Sequence, residues 1–282
     1  MKLLTINTHS LQEKQYHKKL EQFIDVIFEE RPDIIAMQEV NQSVDAPLVG
    51  KPLLYGYVPC PGNNIMIRED NHAAQAAFRF YFAGLPCSWT WVPAKIGYGR
   101  YDEGMAIFCF NDKISDIESF YISHCQEYTN WKTRKVLGVR TAHKKDWYYT
   151  VHMGWWQDAE EPFLSQWDRL DSALYQKRDD ATLWLMGDFN SPAEVRGQGY
   201  DCIAHSGWYD TYLLADKRDN GITVEGVIDG WHELVKNPNA ADGMRIDHIW
   251  CSKPISVCSS KVMFNQVNGP TISDHFGVMI EL

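Results

Sequence analysis

The chain has 282 residues, of which 45% are hydrophobic and 23% are charged, so it can bury a large core and does not have the composition of a disordered chain. Its 27 Lys and Arg residues against 37 Asp and Glu residues give a formal net charge of −10, which argues against a partner held only by counterion release from nucleic acid. The 11 Trp, 14 Tyr and 12 Phe residues exceed what such a core requires, which indicates that some aromatic side chains line a ligand site.

The first half of the chain begins with alternating strand and helix patterns. Residues 2–8 form a short apolar run typical of a buried strand, and apolar residues at helical spacing over 20–28 predict a helix that ends before Pro32. Residues 34–38 predict a second buried strand, and residues 73–85 predict a second helix. Five short β-rich runs follow, at 89–93, 104–110, 117–122, 136–142 and 147–152.

The second half returns to the same patterns. Residues 162–176 have helical spacing and residues 182–186 form an apolar strand, while a polar stretch rich in Gly, Asn and Asp at 219–243 predicts a long surface loop. Three final strands are predicted at 245–251, 255–264 and 277–282. Because neither a repeat nor a linker divides the chain, we expect one domain of residues 1–282, in which two β-sheets pack face to face with helices outside.

The cellular environment can also be predicted from the sequence. The N-terminal residues lack the pattern of a secretory signal, and no window approaches ~18 consecutive apolar residues. The seven cysteines show neither a Cys-x-x-Cys pair nor zinc-type spacing, which favours reduced thiols in a protein core. These observations predict a cytoplasmic protein without a membrane partner.

Six short polar motifs lie within the predicted strands or at their ends. They are Ile6-Asn7, Gln38-Glu39, Val151-His152, Gly187-Asp188-Phe189-Asn190, Arg245-Ile246-Asp247-His248 and Ser273-Asp274-His275. Polar groups at strand ends converge on one edge of a sheet, where active sites are usually built. Each motif alone has an ordinary structural explanation, such as a turn residue or a buried histidine with its partner, so the functional inference depends on their occurring together.

Taken in order, these motifs resemble those of the endonuclease/exonuclease/phosphatase superfamily, whose fold is typified by pancreatic deoxyribonuclease. The resemblance runs from Asn7 to His275, and Gly-Asp-Phe-Asn and Ser-Asp-His-Phe are close to the most specific signatures of that family. It implies a four-layer α/β/β/α sandwich, with two packed mixed β-sheets flanked by helices. It also implies metal-dependent hydrolysis of phosphate esters.

The resemblance assigns a metal site and a nucleophile site. Glu39 would be the main ligand of a divalent cation, with Asn7 and Asp274 close by. Mg²⁺ is expected because it prefers hard oxygen ligands, and Mn²⁺ is an alternative. Asp188 would position or deprotonate the attacking water, and Asn190 would hold a phosphate oxygen or that water.

Two histidines are assigned in the same way. His275, oriented by Asp247, would contact the scissile phosphate and stabilise its charge. His152 matches the position of a general acid in the branches of the family that keep one, and Glu103 would be its carboxylate partner. A carboxylate that holds the imidazole Nδ1 would raise the pKa of His152 and suit it to protonate a leaving oxygen.

Further side chains are candidates for binding the substrate. Arg134 fits the phosphate-clamping arginine of the family, and Lys135 could take that role instead. Four aromatic residues are candidate substrate contacts: Tyr101, Trp155, Trp156 and Trp231. Indole walls suit a sugar, whose C–H faces pack on them. Four other tryptophans lie in strand patterns and are expected in the core: Trp89, Trp91, Trp184 and Trp250.

The sequences of four segments resemble one branch of this family in particular. The segments at 65–72, 101–108, 151–156 and 227–233 look like those of a branch of Gram-positive bacterial proteins that includes maltose 6′-phosphate phosphatase. We therefore expect a phosphomonoesterase whose partner is a small phosphorylated sugar, with neither nucleic acid nor an obligate protein partner. The alternatives are a phosphodiesterase or endonuclease acting on nucleic acid or a lipid headgroup, and a non-catalytic regulatory protein on the same scaffold.

Overall fold

Two mixed β-sheets form the centre of the fold in the computed structural model, which describes residues 1–226 and 243–282. The strands are β1 (Lys2–Asn7), β2 (Ile34–Ser43), β3 (Ser88–Gly97), β4 (Tyr101–Cys109), β5 (Ile114–Tyr121), β6 (Lys135–Thr141), β7 (Trp147–His152), β8 (Leu183–Asp188), β9 (Tyr209–Asp210), β10 (Ala215–Arg218), β11 (Asp247–Cys251), β12 (Val257–Met263) and β13 (Gly277–Glu281). The helices are α1 (Tyr16–Glu30), α2 (His72–Phe82), α3 (Phe163–Leu174), α4 (Lys177–Asp180), α5 (Gly199–His205) and α6 (Thr211–Leu214).

The two sheets are built around the same central arrangement. One has the strand order β10-β12-β13-β1-β2-β4-β3, and the other has the order β5-β6-β7-β8-β11-β9. In the first sheet β1 and β2 run parallel, and in the second β7 and β8 run parallel. Each of these pairs is flanked by antiparallel strands, β13 and β4 in the first sheet and β6 and β11 in the second. Each sheet therefore has a parallel pair near its middle, whose carboxyl ends lie side by side.

The core follows the alternation of side chains along the strands. In β1, Leu3 packs between the two sheets, whereas the next residue, Leu4, packs toward the helices α1 and α2. The layer between the sheets includes Leu3, Ala36, Ile107, Leu137, Met186 and Ile249. Helices α3 and α5 cover the outer face of the second sheet. The predicted four-layer α/β/β/α sandwich is therefore confirmed.

Most predicted elements match the structure. The differences are one strand that is longer than predicted and several short elements that were not predicted. Strand β2 continues to Ser43, well beyond the predicted end at residue 38, because a bulge between Met37 and Val40 lets pairing with β4 resume. The short strands β9 and β10 and the helices α4, α5 and α6 were not predicted, since each has seven residues or fewer and too little periodicity. Of the predicted loop 219–243, the described residues include one isolated bridge, Val224 with Met244.

The tryptophans expected in the core are buried there. Trp89, Trp91, Trp184 and Trp250 are each at most 2% exposed. All seven cysteines are free thiols, in agreement with the absence of paired spacing in the sequence. Among the helices that the structure describes, none has the length and the apolar character needed to cross a membrane.

His72 is a buried histidine at the beginning of α2, where that helix packs beside α1. Its Nδ1 lies 3.0 Å from the hydroxyl of Tyr16, and the residue is 5% exposed. Burial, aided by the charge of Arg79, lowers the pKa of His72 from 6.5 to about 3. The unfolded chain therefore binds a proton at this position more readily than the folded chain between these two values, so acidification below pH 6.5 destabilises the fold.

The variant His72→Gln tests this dependence. Its stability deficit relative to the native protein should shrink by about 2 kcal/mol between pH 7 and pH 5, because only the native protein carries the buried imidazole. Urea unfolding at both pH values measures the difference. His17→Gln, which removes a histidine from an exposed position of α1, is the control. A deficit of His72→Gln that stays constant would contradict the assignment.

Candidate active site

The carboxyl ends of the two parallel strand pairs meet across the sandwich. Asn7 is the register partner of Gln38 at the ends of β1 and β2, and His152 is the register partner of Asp188 at the ends of β7 and β8. The amide Nδ2 of Asn7 donates to Oε1 of Glu39 at 2.9 Å and to Oδ2 of Asp188 at 3.2 Å. One buried side chain thus links the two sheets, and it places the predicted metal and nucleophile residues together.

A β-bulge sets the direction of Glu39. The residue has a φ of 52°, in the left-handed region that side chains other than glycine rarely adopt. Its carbonyl oxygen accepts hydrogen bonds from the hydroxyls of Ser10 at 2.7 Å and Thr8 at 3.3 Å, which hold this conformation. Burial, together with the charge of Glu103, raises the pKa of Glu39. The carboxylate therefore requires positive charge beside it.

The turn after β8 fixes Asp188 and Asn190. Gly187 has a φ of 154°, and a Cβ there would lie 1.9 Å from the carbonyl oxygen of Val151, so only glycine fits. The backbone N–H of Asn190 donates to Oδ1 of Asp188 at 2.8 Å, and its Nδ2 donates to the carbonyl of Met153 at 3.0 Å. Burial raises the pKa of Asp188 to about 7, so this carboxylate can exchange a proton near neutral pH.

His275 lies beside two buried carboxylates. Its Nδ1 is 3.0 Å from Oδ2 of Asp247, the pairing expected from the sequence, and its Nε2 is 3.8 Å from Oδ2 of Asp188. The hydroxyl of Ser273 donates to the carbonyl of Asn7 at 2.8 Å and anchors this segment to β1. Burial disfavours the imidazolium, but the charges of Asp247 and Asp188 outweigh it and raise the pKa of His275 well above its usual value.

His152 has a different environment from the one expected. Its Nε2 lies 3.6 Å from Oδ2 of Asp188 and 4.0 Å from Oε1 of Glu39. The predicted partner, Glu103, instead forms an ion pair with Lys95, with Oε1 3.1 Å from the Lys95 ammonium. Burial and the charge of Arg134 lower the pKa of His152 well below its usual value, which corrects the expectation that Glu103 raises it. The free imidazole is therefore neutral at pH 7.

One cavity of about 690 Å³ contains most of these groups. The predicted residues that line it are Glu39, Glu103, Arg134, His152, Trp155, Asp188, Asn190 and His275. Its rim is formed by two loops that are joined by ion pairs, since Lys132 contacts Asp158 at 2.8 Å and Glu160 at 2.9 Å. The volume falls within the range of about 300–1,000 Å³ that is usual for small-molecule sites.

Three candidate substrate-binding residues do not line this cavity. Trp156 packs on the cluster of Val224, Met244 and Ile246 and does not line the cavity. Tyr101 does not line the cavity either, and its hydroxyl donates instead to the carbonyl of Leu11 at 3.5 Å. Lys135 has its ammonium 4.7 Å from the centre of the Tyr121 ring, and Arg134 is the one of the two that lines the large cavity. Trp231 lies outside the described residues.

Several residues of the cavity were missed by sequence reasoning. Lys95, Tyr98, Trp131 and Lys132 all line it. They lie in β3 or in loops, without a motif or a periodic pattern that marks them. A lysine near the end of an apolar strand was the one available signal, and it is weak because strand ends usually carry solvated charges.

His9 was also missed, although it lies two residues after Asn7. Its Nδ1 is 2.8 Å from Oε1 of Glu13 and 3.7 Å from Oδ1 of Asp274. Burial opposes its charge, but the hydrogen bond with Glu13 and the charges of Asp274 and Glu39 raise the pKa of His9 to about 9. A protonated imidazole therefore lies beside the carboxylates that are the predicted metal ligands.

Comparisons with known proteins agree with this fold. The sequence matches the profile of the Endonuclease/Exonuclease/phosphatase family over residues 4–275. An endonuclease/exonuclease/phosphatase family protein from Leptotrichia buccalis C-1013-b has a similar structure, with a TM-score of 0.82 and 29% identity over 100% of this chain and 98% of that one. No curated protein matches the sequence.

Two more distant structures share the fold. A mannosyl-6-phosphatase of Bacteroides thetaiotaomicron VPI-5482 has a TM-score of 0.62 and 15% identity, over 100% of this chain and 98% of that one. A D. rerio TDP2 humanized by 14 mutations has a TM-score of 0.62 and 13% identity, over 99% of this chain and 97% of that one. At these identities the likeness concerns the fold.

The charge state of His275 can be tested directly. In the chelator-treated protein, Asp247→Asn should lower the pKa of His275 by about 1–3 pH units, because it removes the nearest negative charge. Histidine ¹⁵N chemical shifts followed over pH measure this change. Asp274→Asn is the control and should have a smaller effect, since Asp274 contributes least of the three carboxylates that raise this pKa. An unchanged titration in Asp247→Asn would contradict the pairing.

Proposed function

The chain belongs to the endonuclease/exonuclease/phosphatase family, and we propose that within this family of hydrolases it is a metal-dependent phosphomonoesterase acting on a phosphorylated sugar such as maltose 6′-phosphate. One observation supports this substrate class: indoles and polar side chains line the same cavity as the candidate catalytic residues at the strand ends. The free state of all seven cysteines supports a role in the cytoplasm.

The outer part of the cavity suits a carbohydrate. Trp155 and Trp131 both line it, and the Trp131 side chain is largely exposed. Indole faces pack against the C–H faces of a sugar ring, while carboxylates and amides accept hydrogen bonds from its hydroxyls. Gln157, Asp158 and Glu160 supply such groups on the loop after β7. A small phosphorylated sugar thus has a surface for both its apolar and its polar parts.

The acidic side of the cavity suits a divalent cation. Glu39 and Asp274 would hold it together with Asn7, and these are the hard oxygen donors that Mg²⁺ prefers, with Mn²⁺ as the alternative. The raised pKa of Glu39, and an oxygen of Asp247 that is buried without a hydrogen-bond partner, both indicate a site in need of positive charge. The cation would neutralise charge on the phosphate.

The protein groups have separate tasks in this proposal. Asp188 takes the proton of the attacking water, and its pKa of about 7 makes it a base suited to neutral pH. Asn190 holds the water or a phosphate oxygen beside Asp188. His275 is kept protonated by Asp247, so it can donate a hydrogen bond to the phosphate throughout the neutral range. Arg134 lines the cavity and binds another phosphate oxygen.

His152 would protonate the leaving oxygen of the sugar. In the free protein its pKa is low, because burial and the charges of Arg134 and Lys95 disfavour the imidazolium. A bound phosphate dianion offsets these charges and raises the pKa of His152, so the acid becomes protonated when substrate is present. The pKa that governs kcat should therefore be higher than the corresponding pKa that governs kcat/KM.

The first test is release of inorganic phosphate from a panel of phosphorylated mono- and disaccharides. The native protein should release phosphate with Mg²⁺ and lose this activity with a chelator. Asp188→Asn should lower turnover by about 10² or more, because it removes the base while the volume is kept. Release from no member of the panel, together with nicking of plasmid DNA or hydrolysis of a lipid headgroup diester, would overturn the proposal in favour of a phosphodiesterase.

A second test concerns His152. His152→Ala should lower turnover of a sugar phosphate by about 10²–10⁴, because the sugar alkoxide needs a proton in order to leave. With p-nitrophenyl phosphate the loss should be much smaller, since p-nitrophenolate leaves without protonation. Steady-state kinetics on both substrates give the comparison. Equal losses on both would assign His152 to binding or packing instead of acid catalysis.

A further inference from the structure

Lys95 is a buried cation in the cavity to which the family signature motifs assign no role. It lies on β3, an edge strand, at a bulge between Pro93 and Lys95 that changes the register with β4. Bulges redirect a side chain, and here the side chain is only 9% exposed yet lines the same cavity as Glu39, His152 and His275. Burying a lysine costs free energy unless its ammonium group interacts with an anion or a hydrogen-bond acceptor.

Lys95 and Arg134 lie close together, and both donate a hydrogen bond to the same carbonyl oxygen. The Lys95 ammonium donates to the carbonyl of Trp131 at 2.9 Å, and Nη1 of Arg134 donates to the same oxygen at 2.8 Å. The two nitrogen atoms are therefore no more than about 5.7 Å apart, the sum of these distances. Both side chains are fixed, because their rotamers are held by this shared acceptor and, for Lys95, by Glu103.

Each of these two cations has N–H groups that form no hydrogen bond with the described residues. An ammonium has three N–H groups, and among the described residues Lys95 uses them only for Glu103 and Trp131. Among the described residues, Arg134 donates only through its Nη1, to the carbonyls of Trp131 and Thr133, so its Nη2 remains for a ligand. Unused donors of buried cations are expensive in a protein interior unless a ligand completes them. The two residues thus present unused N–H groups, from positions a few ångströms apart, in one cavity.

We propose that Lys95 and Arg134 together bind different oxygens of one phosphoryl group and that Lys95 makes the site selective for phosphomonoesters over phosphodiesters. This inference rests on the proposed phosphatase function and assigns Lys95 a role in its specificity. A phosphomonoester has three non-bridging oxygens and is largely a dianion at pH 7, since its second pKa is about 6. A phosphodiester has two such oxygens and a single charge.

The charge of the two cations matches the monoester. Lys95 and Arg134 place two positive charges in one cavity, which equals the charge of a monoester dianion. A diester carries a single negative charge, so it offsets less of this positive charge. Burial magnifies this difference because the cavity walls screen charge poorly. Lys95 therefore contributes more to the binding of a dianion than to that of a monoanion.

The test compares p-nitrophenyl phosphate with methyl p-nitrophenyl phosphate, a monoester and a diester with the same leaving group. Lys95→Met should lower kcat/KM for the monoester about 10- to 100-fold more than for the diester. Lys95→Arg should retain most of the preference for the monoester. Isothermal titration calorimetry with inorganic phosphate, in the chelator-treated protein, should show weaker binding to Lys95→Met than to the native protein.

Lys132→Met is the matched control, since it removes a positive charge from the same cavity at a residue that is paired with Asp158 and Glu160. It should affect the two esters to a similar degree. Lys95→Met leaves the carboxylate of Glu103 buried without its partner, so thermal unfolding must accompany the kinetics. If that variant does not fold, Lys95→Met combined with Glu103→Gln, compared with Glu103→Gln alone, gives the same comparison without the unpaired charge.

The outcomes separate this inference from the proposed function. A native protein that prefers the diester would overturn the phosphomonoesterase function, and phosphate calorimetry would then decide the role of Lys95 by itself. A native protein that prefers the monoester, with an unchanged ratio in Lys95→Met, would overturn only the role of Lys95. Equal losses on both esters, or unchanged affinity for inorganic phosphate, would make Lys95 a purely structural partner of Glu103.

Discussion

The arrangement of the site depends on the two hydrogen bonds that the side-chain amide of Asn7 donates. Its amide joins Glu39 of the first sheet to Asp188 of the second, across the gap between two parallel strand pairs. Without that bridge, two buried carboxylates would repel each other with no donor between them. The sandwich therefore does more than bury a core, because its geometry brings the carboxyl ends of β2 and β8 close enough to share one side chain.

Charge balance explains the remaining residues of the cavity. Glu39, Glu103 and Asp188 are opposed by buried Lys95 and Arg134, while Asp247 is opposed by protonated His275. The histidines respond in opposite directions to this arrangement. His275 pairs with Asp247 and keeps a raised pKa, whereas burial, together with the charges of Arg134 and Lys95, lowers the pKa of His152. One cavity thus contains a charged donor and a neutral imidazole, whose pKa a bound phosphate dianion would raise in the proposed function.

The layers and most strands could be predicted because alternation and helical spacing report burial directly. The strand-end motifs could be predicted too, since they are short, ordered and chemically distinctive. Three features could not be predicted: the pairing of Glu103 with Lys95, the burial of Tyr101, and the position of Trp156 outside the cavity. Each depends on which face of a strand or loop a side chain takes, and motif spacing does not determine that face.

Bulges are the physical reason for the main disagreement. Strand β2 has one at Glu39 and strand β3 has one before Lys95, and both lie opposite Gly104 of β4. A single extra residue moves every later side chain to the opposite face of its strand. At Glu39 this turns a carboxylate into the cavity, and at Lys95 it turns in the cation that pairs with Glu103. Because Lys95 pairs with the Glu103 carboxylate, that carboxylate does not hold His152, and in the proposed function His152 would depend on the charge of the substrate for its proton.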